Sequence, residues 1–365
     1  MTPWTTRPLR APEAAILRHP DQRTPWAPSL VVHLGEPLAH AEATARLGAL
    51  VAQHPILRAR LAKDAWVCGA APPQIEPLGD DLAHLRTRFD LAAGPPVRIA
   101  LSADGHDLAL VGHHAALDGR ALTSIARCLL GSAPLGVAGP STAPAEHAQA
   151  RLDGEGSPRG GPSLAASPLR LLARPAHRVA PSVERPRSET FVSASLPSGT
   201  RLRVAPLAAA TTAAAGAWNA DRGAPWGRVG LTIPVGGPPV IGNVSTHRRL
   251  DLALPADVAG AVAAALATAD PPLGATISRA RGRVLRLAAP LARRLSDSLL
   301  VSNLGLVDLP GARAVDFYPQ ARGRSAVALG ACTPVGGTPR LTLRARDLTE
   351  SDARALLDAV VRLLE

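Results

Sequence analysis

Two adjacent histidines, followed four residues later by an aspartate and a glycine, are the residues of this sequence best suited to chemistry. They stand in Leu108–Gly119, LALVGHHAALDG, where an apolar run leads straight into His113-His114. A histidine at a buried strand end suits general base work, because its neutral form is available near pH 7. The ring must be held in one orientation and tautomer. Asp118, with Gly119 letting the chain turn sharply, can fix that loop, and Arg58 is the cation expected to pair with it. If the strand continues through the pair, the two rings point to opposite faces, and His114 shares a face with Leu108 and Leu110. Rings so divided are poor joint metal ligands, and no other His/Asp/Glu cluster has metal spacing, so no metal is expected. Taken alone, the pair also fits an ordinary strand end before an ordinary turn.

Several elements must position these residues. Ser29–Leu34 reads as a strand between Pro28 and Gly35. Ala39–His54 reads as a helix with Leu47, Leu50 and Val51 on one face, stopped by Pro55. Ile56–Leu61 reads as a strand with Leu57, Ala59 and Leu61 on one side and Arg58 and Arg60 on the other. Val97–Ser102 and Asp107–Gly112 form a hairpin around Asp104-Gly105. Further on, Thr190–Ser195, Gly230–Pro234 and Thr246–Leu252 read as strands. Pro206–Asn219, Val258–Ala269 and Arg281–Leu299 read as helices. Arg324–Ala331 and Arg340–Arg344 read as a hairpin around Gly336-Gly337. In the last helix Thr349-x-x-Asp352 resembles a capping box, and Leu356, Leu357, Val360, Leu363 and Leu364 make one apolar face. Both halves mix strands and helices in similar order, so the expected fold is α/β, two pseudo-repeated two-layer lobes. The first spans 1–135 and carries the histidines. A Pro/Gly/Arg-rich linker or crossover covers 136–188, with a short helix near Leu169–Ala173, and 189–365 forms the second lobe.

Composition bounds the function. The chain has 365 residues, too many for one simple core. Its 46% hydrophobic and 19% charged residues are those of a globular protein. The formal charge is +11, yet Lys63 is the only lysine, so the excess is almost all arginine. Aromatics make up 2%, which argues against stacking on single-stranded nucleic acid, and no nucleic-acid partner is expected. Cys68, Cys128 and Cys332 form no CxxC or disulfide framework and read as small apolar residues, which suits a cytoplasmic setting. The start of the chain lacks a signal-peptide layout, and no apolar run reaches membrane-spanning length. There is no GxGxxG, GxxxxGK[ST] or GxSxG, so kinase, dinucleotide oxidoreductase and serine hydrolase readings lack support. Trp66 and Trp218 read as core residues before acyl-pocket liners. The arginines of 281–294 read as a solvated face before a carrier-protein contact.

HHAALDG resembles the HHxxxDG signature of the superfamily that includes chloramphenicol acetyltransferase. That superfamily also holds nonribosomal peptide condensation domains, polyketide-associated acyltransferases and wax ester synthases. Gln53–Leu61, QHPILRARL, is similar to the family's hP-x-LR segment, and Phe89–Arg98, FDLAAGPPVR, to its FDL-x-x-GP-x-x-R segment. Val229–Val235 with Ile241-Gly242-Asn243-Val244 resembles its PV…GN stretch, and Val301–Gly305, VSNLG, its late SN-x-G stretch. The matches keep the family's order from about Pro37 onward. The condensation domains' tyrosine-bearing linker motif, HQD-x-PFE and RD-x-S-RNP are absent. Asp316-Phe317-Tyr318 is at most a remnant of DFGWG. The chain is also shorter than typical members. A free-standing acyltransferase, of the polyketide-associated or wax-ester-synthase-like kind, is therefore favoured over a peptide-forming condensation domain.

The resemblance implies two lobes with a tunnel between them and His114 in the tunnel as general base. The base takes a proton from a hydroxyl or amine that attacks an acyl thioester, in secondary metabolite or lipid biosynthesis. His113 is then a neighbour, Asp118 a structural residue paired with Arg58, and Gly119 keeps the channel open. Ser302, Asn303 and Asn243 are possible oxyanion or tunnel contacts. No tightly bound cofactor is implied. The donor is acyl-CoA or an acyl group on a carrier protein's phosphopantetheine arm, and an arginine-rich surface suits both. The alternatives are a nonribosomal-peptide-type condensation protein and a non-catalytic relative that binds carrier proteins.

Overall fold

The computed structural model describes residues 4–19, 25–79, 85, 88–132, 175–237, 240–267, 297–320 and 327–365. The first lobe is a five-stranded sheet with helices on one face. Its strands are β2 (Ser29–Leu34), β5 (Ile75–Pro77), β6 (Val97–Leu101), β7 (Asp107–Gly112) and β12 (Ala312–Tyr318), in the order β12-β2-β7-β6-β5. The helices are α2 (His40–Gln53) and α3 (Gly119–Leu129). Leu108 and Leu110 of β7 pack in the core with Leu47, Leu50, Leu122 and Ile125 of those helices. Ala109 and Val111, on the other face of β7, pack with Phe191 and Tyr318. Covering on both faces explains why β7 reads as an unbroken apolar run rather than an alternating one.

At the start of the chain, α1 (Ala11–Leu17) follows β1 (Thr6–Pro8). β1 joins β4 (Ala65–Cys68) and β3 (Ala59–Ala62) in a small sheet of order β1-β4-β3. Glu13 of α1 is fully buried and held by Arg7 and Arg10, with Nη2 to Oε1 distances of 2.7 and 2.5 Å. The expected strand Ile56–Leu61 is only half correct. Pro55–Arg58 forms a 3-10 turn, and the strand starts at Ala59. Pro55 stands at the start of that turn, where its missing N–H costs nothing.

The second lobe is a six-stranded sheet. It is built from β8 (Thr190–Ser195), β9 (Arg228–Val235), β10 (Thr246–Ala253), β11 (Leu299–Val307), β13 (Val327–Pro334) and β14 (Arg340–Ala345). Its order is β10-β9-β11-β13-β14-β8, with β9, β11 and β13 parallel and the outer pairs antiparallel. Helices α4 (Val204–Ala220), α5 (Val258–Ala267) and α6 (Glu350–Arg362) supply Leu207, Ala215, Val262, Leu356 and Val360 to its core. The Thr349 hydroxyl caps α6 by accepting the Asp352 amide. Trp66 and Trp218 are buried in the two cores and line no part of the cavity described below.

Two features depart from a lobe-by-lobe division of the chain. β12 comes from the second half but pairs antiparallel with β2 in the first sheet. Residues 175–188 of the expected linker run along the second lobe, where Val179 and Ala180 are buried and His177 donates its amide to the Arg228 carbonyl at 2.8 Å. The rest of that linker, the helix near Leu169–Ala173 and residues 281–296 lie outside the described residues. Leu299, placed at a helix end from the sequence, opens strand β11. Among the described residues, no helix is long and apolar enough to cross a membrane.

Candidate active site

A cavity of about 230 Å³ lies between the lobes. The first lobe contributes Trp26, His114, Asp118, Gly119 and Arg120, and α1 covers one side with Pro12, Ala15 and Ile16. The second lobe contributes Thr232 and Pro234 from β9, Thr246 and His247 from β10, and Ser302 to Leu304 from β11. Asn243 and Ser245 line it from the loop before β10.

β7 ends at Gly112, so the strand does not run through the histidine pair. Their amides still bond opposite neighbours, His113 to the Pro96 carbonyl at 2.8 Å and His114 to the Trp26 carbonyl at 2.6 Å. The rings therefore part. His113 is buried, with the edge of Phe89 against it at 5.9 Å between ring centres. Its Nδ1 accepts the Ala115 amide at 3.2 Å. Burial, with the neighbouring His114, pushes the His113 pKa down to about 3. His114 lines the cavity. Its Nδ1 lies 3.4 Å from the Leu117 carbonyl, which can only accept, so the proton belongs on Nδ1 and the lone pair on Nε2.

The second lobe holds this loop in place. Asn243 donates its side-chain N–H to the His114 carbonyl at 2.6 Å. Asp118 does three things at once. Its Oδ1 accepts the Ala121 amide at 2.9 Å and caps α3. Its Oδ2 accepts the Val244 amide at 3.0 Å. Its own amide donates to the Gly242 carbonyl at 3.3 Å. Burial pushes the Asp118 carboxyl above the usual carboxylate range, against the pull of those amides and of His114.

This geometry corrects the pairing expected with Arg58. Arg58 ends the 3-10 turn and is exposed, whereas Asp118 is buried. The partners of Asp118 are main-chain amides, among them those of Ala121 and Val244, which stabilise a carboxylate without a cation. Gly119 has a different reason as well. A Cβ there would lie 2.8 Å from two ring carbons of Phe317 and 3.1 Å from Leu304, so glycine is what lets β12 approach the start of α3.

All three residues proposed as oxyanion or tunnel contacts line the cavity. Two of them each donate one side-chain N–H elsewhere, Asn243 to the His114 carbonyl at 2.6 Å and Asn303 to the Leu202 carbonyl at 2.8 Å. Ser302, on β11 opposite Gly330, keeps a hydroxyl on the cavity wall. Arg120, Trp26, His19, Thr246 and His247 also line the cavity and were not legible as site residues, because elements far apart in sequence bring them together. Trp26 adopts a φ of +44°, unusual for a large side chain, and its ring packs edge-on against His19 at 4.7 Å. Among the described residues, no group of three His, Cys, Asp or Glu could hold a metal ion.

No family model matches the sequence, and no curated protein does. Solved structures do match over nearly the whole chain. The first condensation domain of the calcium-dependent antibiotic synthetase, solved with a substrate analogue, aligns with a TM-score of 0.62 at 18% identity, covering 100% of this chain and 96% of its own. The condensation domain of the monacolin K polyketide synthase aligns at 0.59 and 12%, covering 99% and 97%. The starter condensation domain of rhizomide synthetase, a mutant solved with C8-CoA and Leu-SNAC, aligns at 0.61 and 15%, covering 99% and 94%. The chain thus has the two-lobed fold of condensation domains.

Proposed function

We propose that this chain is an acyltransferase. It moves an acyl group from a thioester, on coenzyme A or a carrier protein's phosphopantetheine arm, to a hydroxyl or amine, with His114 as general base. The observation that carries this reading is His114 on the wall of the interlobe cavity, its Nδ1 turned to the Leu117 carbonyl and its main chain gripped by Trp26 and Asn243. Such a ring is pre-oriented, and Nε2 is the nitrogen we assign to take the proton.

The step balances as follows. Nε2 takes the proton of the acceptor O–H or N–H while that atom attacks the thioester carbonyl. The carbonyl oxygen becomes an oxyanion, for which the Ser302 hydroxyl on the cavity wall is one side-chain donor. Collapse of the intermediate breaks the C–S bond, and the departing thiolate takes the proton from the imidazolium. Asp118 and Asn243 hold the loop through their hydrogen bonds to its main chain and to Val244.

The amide-forming alternative, condensation of the nonribosomal-peptide kind, is favoured by one observation. The rhizomide starter domain is recorded with an acyl-CoA together with an aminoacyl thioester. One experiment addresses both readings. The chain is incubated with acyl-N-acetylcysteamine and acyl-CoA thioesters and with amine and hydroxyl acceptors, and products are read by intact mass. Acyl transfer that falls roughly 10²–10⁴-fold in His114→Ala, with an unchanged fold, supports the base assignment. Hydroxylamine-stable products identify amides. Near wild-type turnover in His114→Ala removes His114 from the mechanism.

A further inference from the structure

Arg120 is the one lysine or arginine on the cavity wall among the described residues. It directly follows the catalytic loop, as the second residue of α3. Its Nη1 donates to the Gly237 carbonyl at 3.1 Å. The backbone of the second lobe is shaped around it, because a Cβ on Gly236 would stand 2.5 Å from its Nε. A carbonyl fixes a guanidinium in place but does not neutralise it. Asp118 is the one acidic residue on the same wall, and the Ala121 and Val244 amides occupy its two oxygens. No carboxylate among the described residues forms an ion pair with Arg120. The cavity wall therefore carries a guanidinium that is fixed by a carbonyl and ion-paired to no described carboxylate, whereas most of the other arginines with described contacts have acidic partners.

We propose that Arg120 determines specificity by binding a carboxylate borne by the acyl chain of the donor. Guanidinium geometry matches a carboxylate through two parallel hydrogen bonds, and the charge of Arg120 is not already spent. The other anion at hand is the donor's phosphate. The whole pantetheine arm separates that phosphate from the reacting sulphur, whereas Arg120 is close in the chain to His114, so the carboxylate is the better fit. This inference rests on the cavity being the substrate site, and its test reads binding rather than turnover.

The probes are octanoyl-N-acetylcysteamine, its analogue ending in a carboxylate, the methyl ester of that analogue, and free phosphopantetheine. Dissociation constants are measured by calorimetry in the full chain, in His114→Ala, and in Arg120→Gln and Arg120→Lys. The expected result is roughly ten- to a hundredfold tighter binding of the carboxylate probe than of its methyl ester. That preference should weaken with salt, vanish in Arg120→Gln and survive in part in Arg120→Lys. His114→Ala should keep it, so a wrong base assignment and a wrong carboxylate assignment give different outcomes. Equal binding of the acid and its ester by the native chain overturns the proposal, and this comparison stands even if Arg120→Gln fails to fold. A preference that persists in Arg120→Gln also overturns it. So does an Arg120→Gln defect confined to phosphopantetheine, which would place the phosphate there instead.

Discussion

His113 is enclosed by protein, and its Nδ1 accepts the Ala115 amide, so its ring has to be neutral in the folded chain. The adjacent His114 lines the interlobe cavity, as the proposed general base must. On that proposal the two neighbours divide between a structural and a chemical task, and the structural one has a pH signature. With a folded pKa near 3 and an unfolded value near 6.5, His113 binds a proton in the unfolded chain over a range where the folded chain binds none. Stability present above the unfolded value is lost as pH falls toward the folded one, by up to about 1.4 kcal/mol per pH unit from this group. His113→Phe should cost about 1 kcal/mol at pH 7, because the Ala115 amide loses its acceptor. It should also make the fall of Tm between pH 6 and 4 shallower. Calorimetric unfolding of both chains across that range is the measurement, and parallel pH curves would exclude this role for His113.

Helix α3 and the segment Ile241–Val244 act as one device, because Asp118 bonds both. Removing its carboxylate uncaps α3, at about 1 kcal/mol. It also leaves the buried Val244 amide without an acceptor, at about 1–3 kcal/mol. Asp118→Ala should therefore lose roughly 2–4 kcal/mol in urea unfolding, whereas the exposed Arg58→Ala should stay within about 0.5 kcal/mol. The reverse ranking would restore the cation pairing suggested by the sequence. That contrast marks what was legible. β2, β7, β8 and the helices around His40–Gln53 and Glu350–Arg362 follow from local patterning, and the structure has them at or within a residue or two of the expected bounds. HHxxxDG located the loop, and the GN segment proved to be its clamp. The partner of Asp118 was not legible, because main-chain amides leave no trace in residue type. Arg120 was missed for a related reason: its setting is made by Gly236 and Gly237, more than a hundred residues away.

At the scale of the molecule, what joins the lobes is β12, a strand of the second half lying in the first sheet. Asp316 on it bonds in both directions. Arg340 of β14 reaches it with two hydrogen bonds, of 2.7 and 3.0 Å, and also bonds the hydroxyls of Ser193 and Ser195 on β8. On the other side, His33 of β2 lies 3.3 Å from Asp316 and 2.7 Å from Asp107 of β7. One chain of polar contacts thus runs from the first sheet through β12 into the second. Burial opposes the Asp316 charge, yet His33 and Arg340 hold its carboxyl below the usual carboxylate range. The Asp316 hydrogen bond, with Asp107, raises the His33 pKa above 6.5 despite partial burial. The sign then follows: stabilisation by His33 is fully present below its unfolded value near 6.5 and is lost as pH rises through the higher folded value. With the ring 34% exposed, solvent screening limits the effect to about 1 kcal/mol or less. In His33→Gln the native chain's loss of Tm between pH 6 and 9 should therefore shrink, while its acid limb, where His113 and Asp316 titrate, remains. A His33→Gln chain that loses as much Tm as the native one on the alkaline side would show that β12 is held to the two sheets by its ladder and packing alone.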